Sequence, residues 1–488
     1  MRGHSVEPAP LAALARLPFH VWLVVAVTCI GAFIGQLDAS IVQLALPELT
    51  RTFDSSVNDV RWVAIAYLLS YAAFLPVFGR VCEMYGRKLL YLVGFALFGL
   101  ASLACGWAPD LTWLIVLRAL QGMGGSLLGA NSITILVKSV DPERRPHAIG
   151  FFTAAQAIGV SLGPVIGGLL LDSMGWRWIF WVAVPLALAA VVLGWMILPR
   201  TAEVEGDKTF DWPGAFLLAP SLFLTVLALN QLSVWPLLSP VMILCLVGAV
   251  AFMVLFARYE RWASCPLVDT TLFGRNPFTA GIIGVALGYA LLYGMLFLMA
   301  FALMHGFHDS ARLAGLKLAV IPIALGVVAP LGISLSKRWG VNPMRAAGMS
   351  ACLAALAICA FLAFHPIGSL AMGLSAFAVF GIGLGLFMAP NSHSTIDAAP
   401  PHHAGTASAL VNLMRVLGSC LGVSAASSVM SWRMAQSVGR DRLDILLGGR
   451  PLIDAVESSL FVLAIFAAIA ACTSLVRVRQ PAQAPGGL

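Results

Sequence analysis

The sequence predicts an all-α polytopic membrane protein, and two observations support that fold class. The chain of 488 residues is 60% hydrophobic and only 10% charged, whereas soluble domains carry about 25% charged residues. Unbroken apolar runs of about 20 residues recur along it, and each is long enough to cross a bilayer as a helix. The strands of a membrane barrel would instead alternate apolar and polar residues, so a barrel is excluded.

Fourteen apolar runs qualify as membrane spans. In chain order they are 21–46, 61–81, 89–107, 112–137, 147–171, 177–198, 212–232, 236–257, 278–302, 314–335, 343–364, 368–391, 404–431 and 455–476. Because their number is even, both termini are expected on the same side of the membrane.

Lysine and arginine are distributed unequally between the two sides of these spans. With residues at a span end counted in the adjoining loop, 18 of the 29 lie in the terminal tails and the loops on their side, 8 lie in the opposite loops, and 3 lie deep within spans. Loops rich in lysine and arginine stay in the cytoplasm. We therefore expect both termini to be cytoplasmic and the protein to be integral to the cytoplasmic (inner) membrane. The net charge of +7 then reflects topology, and no nucleic-acid partner is indicated.

Two glycine patterns recur eight spans apart. The loop 79–88 after the second span is basic and bounded by glycines, as is 332–340 after the tenth, and the Gly-x-x-x-Gly at 159–163 recurs at 418–422. This interval implies six spans, two inserted spans and six more, the plan of a transporter with two related halves. The predicted domains are a cytoplasmic N-terminal tail (1–20), an N-terminal six-helix bundle (21–198), a linker with two inserted transmembrane helices (199–277), a C-terminal six-helix bundle (278–476) and a cytoplasmic C-terminal tail (477–488).

Asp38 lies deep inside the first apolar span. An ionisable side chain at that depth costs roughly 3 kcal/mol or more, so it faces a cavity, pairs with a cation or carries a proton. A purely structural carboxylate is the alternative, and the sequence favours a coupling or substrate-binding role.

Four motifs stand out along the chain. They are 37–42 with Ala-Leu-Pro at 45–47, the loop 79–88, the segment 118–125 in the fourth span, and the segment 159–168 in the fifth. Together they resemble the major facilitator superfamily, and within it the fourteen-span drug:proton antiporters of the EmrB/QacA type. The resemblance runs from about residue 21 to residue 476, and it implies the major facilitator fold.

The resemblance implies a proton-coupling pair. The family aspartate in the first span is a protonation site, which gives that role to Asp38, and Arg118 matches the family arginine linked to proton transfer. Depth provides an independent check, because Asp38 lies roughly 12 Å from the outer end of its span and Arg118 roughly 9 Å from the outer end of the fourth. The two side chains can therefore meet.

The loop 79–88 is implied to be a gating loop, formed by Gly79, Glu83, Gly86, Arg87 and Lys88. Its glycines allow two helices to turn and approach closely, and Glu83 with Arg87 can form a salt bridge that breaks when the halves move. The family has aspartate where Glu83 stands and commonly a basic residue at position 84, so this chain carries one cation fewer.

The segment 159–168 resembles the superfamily's antiporter motif, which is associated with exporters. Its residues are Gly159, Gly163, Pro164, Gly167 and Gly168. Pro164 deletes a backbone hydrogen bond and bends the helix, while the glycines allow close packing against a neighbour. Packing alone would explain a small-xxx-small pattern, and the added Gly-Pro and double glycine favour export.

Seven residues are candidates for contacting a substrate. Tyrosine rings suit flat lipophilic cations, although ordinary packing is the alternative, and uncharged amides in lipid need partners. Arg415 has no acidic partner in the second half, so it caps carbonyls, contacts an anionic substrate or contacts another helix. The full set is Gln36, Tyr67, Tyr71, Asn131, Tyr293, Asn412 and Arg415.

Catalysis has no support in the sequence. It contains no P-loop, nucleophile elbow, zinc-ligand spacing or GxGxxG after a strand, so we expect no enzyme activity, cofactor or metal. The expected function is proton-coupled multidrug efflux, in which lipophilic or cationic small molecules are exported by alternating access. A dedicated exporter of one metabolite, or a facilitator of the same fold without proton coupling, is the alternative. The sequence leaves a periplasmic adaptor protein open as a partner.

Overall fold

The described part of the chain is almost entirely helical. A computed structural model describes residues 7, 9–201, 211–231, 235, 238–263, 270–274, 276–364, 370–400, 404–438 and 450–475, and no strand occurs among them. Helices dominate because a backbone N–H or C=O group in lipid has no water partner, so each segment must satisfy its own hydrogen bonds. The predicted all-α membrane fold is confirmed.

Six helices form the first half, and they follow the predicted spans closely. They are α1 His20–Thr52, α2 Trp62–Tyr85, α3 Arg87–Gly106, α4 Leu111–Ser139, α5 Arg145–Ser173 and α6 Arg177–Ile197. The last of them is interrupted at Val182.

Two inserted helices and a second set of six follow. They are α7 Trp212–Gln231, α8 Pro240–Glu260, α9 Asn276–Phe301, α10 Ala311–Trp339, α11 Val341–Phe364, α12 Leu370–Asp397, α13 Ala404–Val438 and α14 Arg450–Thr473. Among the described residues, 13 helices are long and apolar enough to cross a membrane. The apolar part of α7, Trp212–Ala228, is shorter.

The two sets of six helices pack in the same pattern. In the first, α1 packs on α5, α2 on α4, and α3 on both α4 and α6. In the second, α9 packs on α13, α10 on α12, and α11 on both α12 and α14. The halves meet where α5 packs on α10 and where α2 packs on α13. The molecule is therefore two pseudo-symmetric six-helix bundles plus two inserted helices.

A buried cation closes the end of the last helix in each half. Lys88, near the start of α3, donates from Nζ to the carbonyl oxygens of Trp195 (3.0 Å) and Leu198 (2.7 Å) at the end of α6. Arg345, near the start of α11, donates from Nη2 to the carbonyl oxygen of Thr473 (3.1 Å) at the end of α14. Helix C-termini expose unpaired carbonyls and carry partial negative charge, so both cations stabilise the same junction.

The loops after α2 and α10 each turn at a glycine with positive φ. Gly86 has φ +106° and Gly340 has φ +93°, values that residues with a side chain rarely adopt. We call this end of the molecule the basic end and the opposite end the far end. The expected close helix approach is wrong for Gly79, because an added Cβ would meet nothing within 4 Å. The salt bridge between Glu83 and Arg87 stays a prediction, since the side chain of Glu83 lies outside the described residues.

The glycines of α5 pack this helix against two different neighbours. Gly159, Gly163 and Gly167 all face α1, where added Cβ atoms would overlap the helix or its side chains. Gly168 faces α10 of the second half, and its Cβ would lie 2.5 Å from the carbonyl oxygen of Ala311. The segment 159–168 therefore packs α5 against α1 within the first half and against α10 of the second half.

The same packing recurs in the second half, as the repeated glycine pattern predicts. Gly418 and Gly422 of α13 face Ala286 and Ala290 of α9, and an added Cβ at either glycine would overlap a carbonyl oxygen of α9. The repeat is therefore structural, because in both halves the glycine pair lets the fifth helix touch the backbone of the first.

The two halves are joined at the far end by polar contacts. His305 Nε2 lies 3.3 Å from the carbonyl oxygen of Pro47, and the backbone N–H of Arg312 donates to Asp172 Oδ2 at 3.0 Å. Each contact joins a residue of one half to a residue of the other. The far end is therefore closed by bonds that must break if the halves are to separate there.

A third far-end contact lies on the other side of the molecule. Arg61, just before α2, donates from Nη1 to Ser427 Oγ (2.9 Å) and Ser428 Oγ (3.1 Å) of α13. The inserted helix α7 packs against both α2 and α13, while α8 packs on α7. The inserted pair therefore lies beside the junction of the two halves at α2 and α13.

Substitution at Gly168 should destabilise the contact between the halves. A leucine side chain there would overlap the α10 backbone, and overpacking of this kind typically costs about 1–3 kcal/mol. We expect Gly168→Leu to lower the Tm of the purified protein by several degrees in a fixed detergent. Gly150→Leu is the matched control, because Gly150 lies on the same helix with nothing within 4 Å of an added Cβ. Equal Tm values for the two variants would contradict the packing role of Gly168.

Candidate functional site

Asp38 and Arg118 form an ion pair inside the first half. Arg118 Nη1 lies 2.7 Å from Asp38 Oδ2, and only 2% of Asp38 and 1% of Arg118 is exposed. The expected meeting of the two side chains is confirmed. Their mutual attraction is strong, because little water is present to screen opposite charges in a buried site.

Gln121 completes this network, and it was not among the residues predicted from the sequence. Its Nε2 donates to Asp38 Oδ1 (2.9 Å) and to Ser102 Oγ (2.6 Å), while its Oε1 accepts from Arg118 Nη1 (2.6 Å). Each carboxylate oxygen of Asp38 therefore accepts one hydrogen bond. The available signal was spacing, because Gln121 follows Arg118 by three residues and such pairs share a helix face.

The rest of the Arg118 guanidinium contacts α2 and α6. Its Nε donates to the carbonyl oxygen of Val63 at 2.9 Å. Its Cζ lies 4.4 Å from the ring centre of Tyr67 and 5.7 Å from that of Phe180, distances at which an aromatic ring attracts a cation. None of these partners depends on the charge of Asp38, so Arg118 keeps them when the carboxylate is neutral.

Arg415 lies between the two halves. Its Nη1 lies 3.4 Å from Gln156 Oε1 of α5, and its Cζ lies 4.9 Å from the ring centre of Tyr289 of α9. Of the three contacts expected for Arg415, the structure contains the contact with other helices. No carboxylate lies within salt-bridge distance of this half-buried cation in the part of the chain that the structure describes.

Three further substrate candidates surround Arg415. Tyr71 of α2 lies beside Asn412 and near Arg415 of α13, and Tyr293 of α9 lies near Arg415 and Tyr71. We call these residues, with the contacts of Arg415, the central cluster. Its members are Tyr71, Gln156, Tyr289, Tyr293, Asn412 and Arg415.

The other three candidates lie in different surroundings. Tyr67 is buried on Arg118, and its ring centre is 6.2 Å from that of Tyr71, so it lies between the ion pair and the central cluster. Gln36 lies at the contact of α1 with Gly159. Asn131 is buried, and its Nδ2 donates to the carbonyl oxygen of Leu127 and to Cys82 Sγ, both within the first half.

The arrangement offers two kinds of chemistry. One is a buried carboxylate held by a cation and an amide, and the other is a cluster of aromatic faces, amides and one cation between the two halves. Among the described residues no group of three or more His, Cys, Asp or Glu side chains could hold a metal ion.

Known proteins resemble this chain over most of its length. It is 32% identical over 409 residues to the riboflavin transporter RibZ of Clostridioides difficile (strain 630), a match that covers 83% of this chain and 88% of RibZ. It is also 32% identical over 406 residues to the multidrug resistance protein Stp of Mycobacterium tuberculosis (strain CDC 1551 / Oshkosh), covering 83% of this chain and 75% of Stp.

A solved structure has the same fold at lower identity. The crystal structure of a bacterial homologue of the human lysosomal transporter Spinster, inward-facing and unoccupied, matches with a TM-score of 0.66 at 18% identity. The match covers 94% of this chain and 97% of that chain. Residues 28–423 match the family described as Major Facilitator Superfamily. This range includes both Asp38 and Arg118. The chain is therefore a multi-pass membrane transporter, not an enzyme, and belongs to the Major Facilitator Superfamily.

Proposed function

We propose that this transporter is a proton-coupled antiporter that exports lipophilic or cationic small molecules across the cytoplasmic membrane. The observation that carries the proposal is the fully buried network of Asp38, Arg118 and Gln121, because ionisable groups within membranes mark proton relays and substrate paths. The multidrug resistance relative Stp supports the substrate class. The 13 described helices long enough to span, together with the shorter apolar α7, support assignment to the fourteen-span EmrB/QacA type.

The proton and the substrate compete through a change in the ion pair. Arg118 and Gln121 donate to the two carboxylate oxygens of Asp38, an arrangement that favours the ionised form of this side chain. A proton on Asp38 removes its attraction for Arg118, which keeps Gln121, Val63 and the ring of Tyr67 as partners. The charge of the site therefore changes by one unit, and Arg118, no longer held by Asp38, is free to shift together with the ring of Tyr67.

Tyr67 and Tyr71 provide the physical route from this change to the substrate. Tyr67 packs under the guanidinium of Arg118 and against Tyr71, and Tyr71 lies beside Asn412 of the second half. Movement of Arg118 would therefore displace a ring that contacts the central cluster. Coupling between two sites needs such a contiguous set of packed groups with two arrangements.

The basic end is cytoplasmic in this proposal, in keeping with the excess of lysine and arginine on that side. The far end, where His305 meets Pro47 and Arg312 meets Asp172, is then the outer end. Transport alternates between the closed far end described here and a state in which those contacts are broken. Gly168 and Pro164 lie on the surface of α5 that must part from α10.

The test of proton coupling is Asp38→Asn, which keeps the size of the side chain and removes its charge. In liposomes with an imposed pH difference, we expect this variant to lose accumulation of substrate against its gradient. Exchange of substrate for substrate should persist, because it requires alternation without net proton movement. Both transport modes are to be measured on the same preparation with a lipophilic cationic dye.

Glu48→Gln is the matched control for that substitution. Glu48 lies ten residues further along the same helix, where it is partly exposed and pairs with Arg51 at 2.8 Å. An exposed pair of this kind contributes little, so proton-driven accumulation should remain at the wild-type level. Uphill accumulation by Asp38→Asn under a pH difference alone would refute proton coupling at this site.

A second candidate function is dedicated export of one neutral or anionic metabolite. It is favoured by Arg415, a half-buried cation with no carboxylate within salt-bridge distance among the described residues. Such a charge repels a permanent cation in the central cluster and attracts an electron-rich or anionic group. The riboflavin transporter RibZ, similar in sequence, is named for a dedicated substrate.

Arg415→Gln distinguishes the two candidates. If the transporter is a multidrug exporter, removal of the cation should improve apparent affinity for a cationic dye by roughly fivefold, the equivalent of about 1 kcal/mol of screened repulsion. If it is a dedicated exporter, the wild type should not transport the dye, and the variant should lose its neutral or anionic substrate. Arg433→Gln, an exposed arginine further along α13, is the control and should change neither.

A further inference from the structure

A cavity of about 500 Å³ opens at the basic end of the first half, well away from the central cluster. It lies between the beginnings of α1 and α3 and the ends of α4 and α6. These four helices include the two that carry Asp38 and Arg118. Neither the Asp38–Arg118 pair nor any residue of the central cluster lines it.

The charged side chains that line the cavity are all basic. Arg87 and Lys88 come from α3, Lys138 from the end of α4, and Arg200 from the segment after α6. Lys88 is buried, Arg87 is half-buried, and Lys138 and Arg200 are exposed at the rim. Among the described lining residues none is acidic. Lys88 already donates to two carbonyl oxygens, so Lys138 and Arg200 at the rim are the cations that face a ligand, and they favour an anion.

A carboxylate approaches this region from the N-terminal segment. Glu7 is buried, and it accepts hydrogen bonds from the backbone N–H groups of Leu89 (3.2 Å) and Thr201 (2.6 Å). The carboxylate of Glu7 is therefore bonded to backbone N–H groups at the start of α3 and after α6. Among the described residues, Glu7 makes no salt bridge with the rim cations Lys138 and Arg200.

The inner wall of the cavity is apolar. Val21 and Val24 of α1, Ile135 of α4 and Leu198 after α6 line it. A hydrated inorganic anion gains nothing from such a surface, whereas a molecule with an anionic head and hydrocarbon chains covers it favourably. The combination of basic rim and apolar wall indicates an amphiphilic anion.

We propose that this cavity binds the phosphate headgroup of an anionic phospholipid. The cavity lies at the ends of membrane-spanning helices, the depth at which headgroups occur, and basic pockets between such helices are suited to anionic lipids. The phosphate contacts the rim cations, and the first part of the acyl chains covers the apolar wall. The bound lipid thereby ties together α1, α3, α4 and α6.

The test measures lipid binding rather than transport. The purified full-length protein, stripped of lipid in detergent, is titrated with dioleoylphosphatidylglycerol, and bound lipid is counted by native mass spectrometry. Each surface cation contributes roughly a fivefold gain in affinity, so Lys138→Gln/Arg200→Gln should bind phosphatidylglycerol at least tenfold more weakly. Lys337→Gln/Arg338→Gln removes two exposed cations of α10 at the same end, outside the cavity, and should bind it like the wild type.

Two further arms distinguish a phospholipid site from a site for a free anion or for any lipid. Dioleoylphosphatidylcholine, which has no net charge, should bind with equal weakness to all three proteins. Inorganic phosphate at millimolar concentration should not displace phosphatidylglycerol from the wild type. The proposal is overturned if the two double variants bind phosphatidylglycerol equally, or if inorganic phosphate displaces it. Should the first double variant fail to fold, Arg200→Glu alone must show the loss.

Discussion

The ion pair between Asp38 and Arg118 is the constraint on which the first half depends. A lone charge at this depth costs several kcal/mol, and removal of one partner from a buried pair leaves the other uncompensated. The surrounding helices therefore supply a partner for nearly every polar group of the pair: Gln121 for the free carboxylate oxygen, Val63 and Tyr67 for the guanidinium. The attraction between Asp38 and Arg118 is the largest interaction in the site. Protonation of Asp38 removes it and therefore changes the site strongly.

Close backbone packing gives the rest of the molecule its form. Gly163 in the first half and Gly418 in the second let their helices approach to distances that a Cβ would prevent, and Lys88 and Arg345 close corresponding helix ends. Repetition of these contacts makes the halves similar rigid bodies. Rigid halves that meet through small residues can move against one another with few bonds to break, which alternating access requires.

Sequence reasoning predicted what depends on depth and periodicity. It predicted that Asp38 and Arg118 meet, because the depth of each side chain in the membrane follows from the helix rise along its predicted span. It did not predict that Gln121 bonds to Asp38 and Arg118, because the hydrogen-bond partner of an amide in a helix depends on which helix it faces. It was wrong about close approach at Gly79 for the same reason, and Asn131 proved to have partners inside the first half. Which helix faces which residue is set by tertiary packing.

The most direct test of the central claim is the protonation of Asp38 itself. Infrared difference spectra of the purified protein, recorded on addition of a transported substrate at a constant pH low enough to protonate Asp38 in the absence of substrate, report the carbonyl stretching band of a protonated carboxylic acid. If proton and substrate compete through the ion pair, the wild type should lose such a band when substrate binds, and Asp38→Asn should show no change in that region. A wild-type spectrum in which the carboxylic acid band is unaltered by substrate would contradict competition at Asp38.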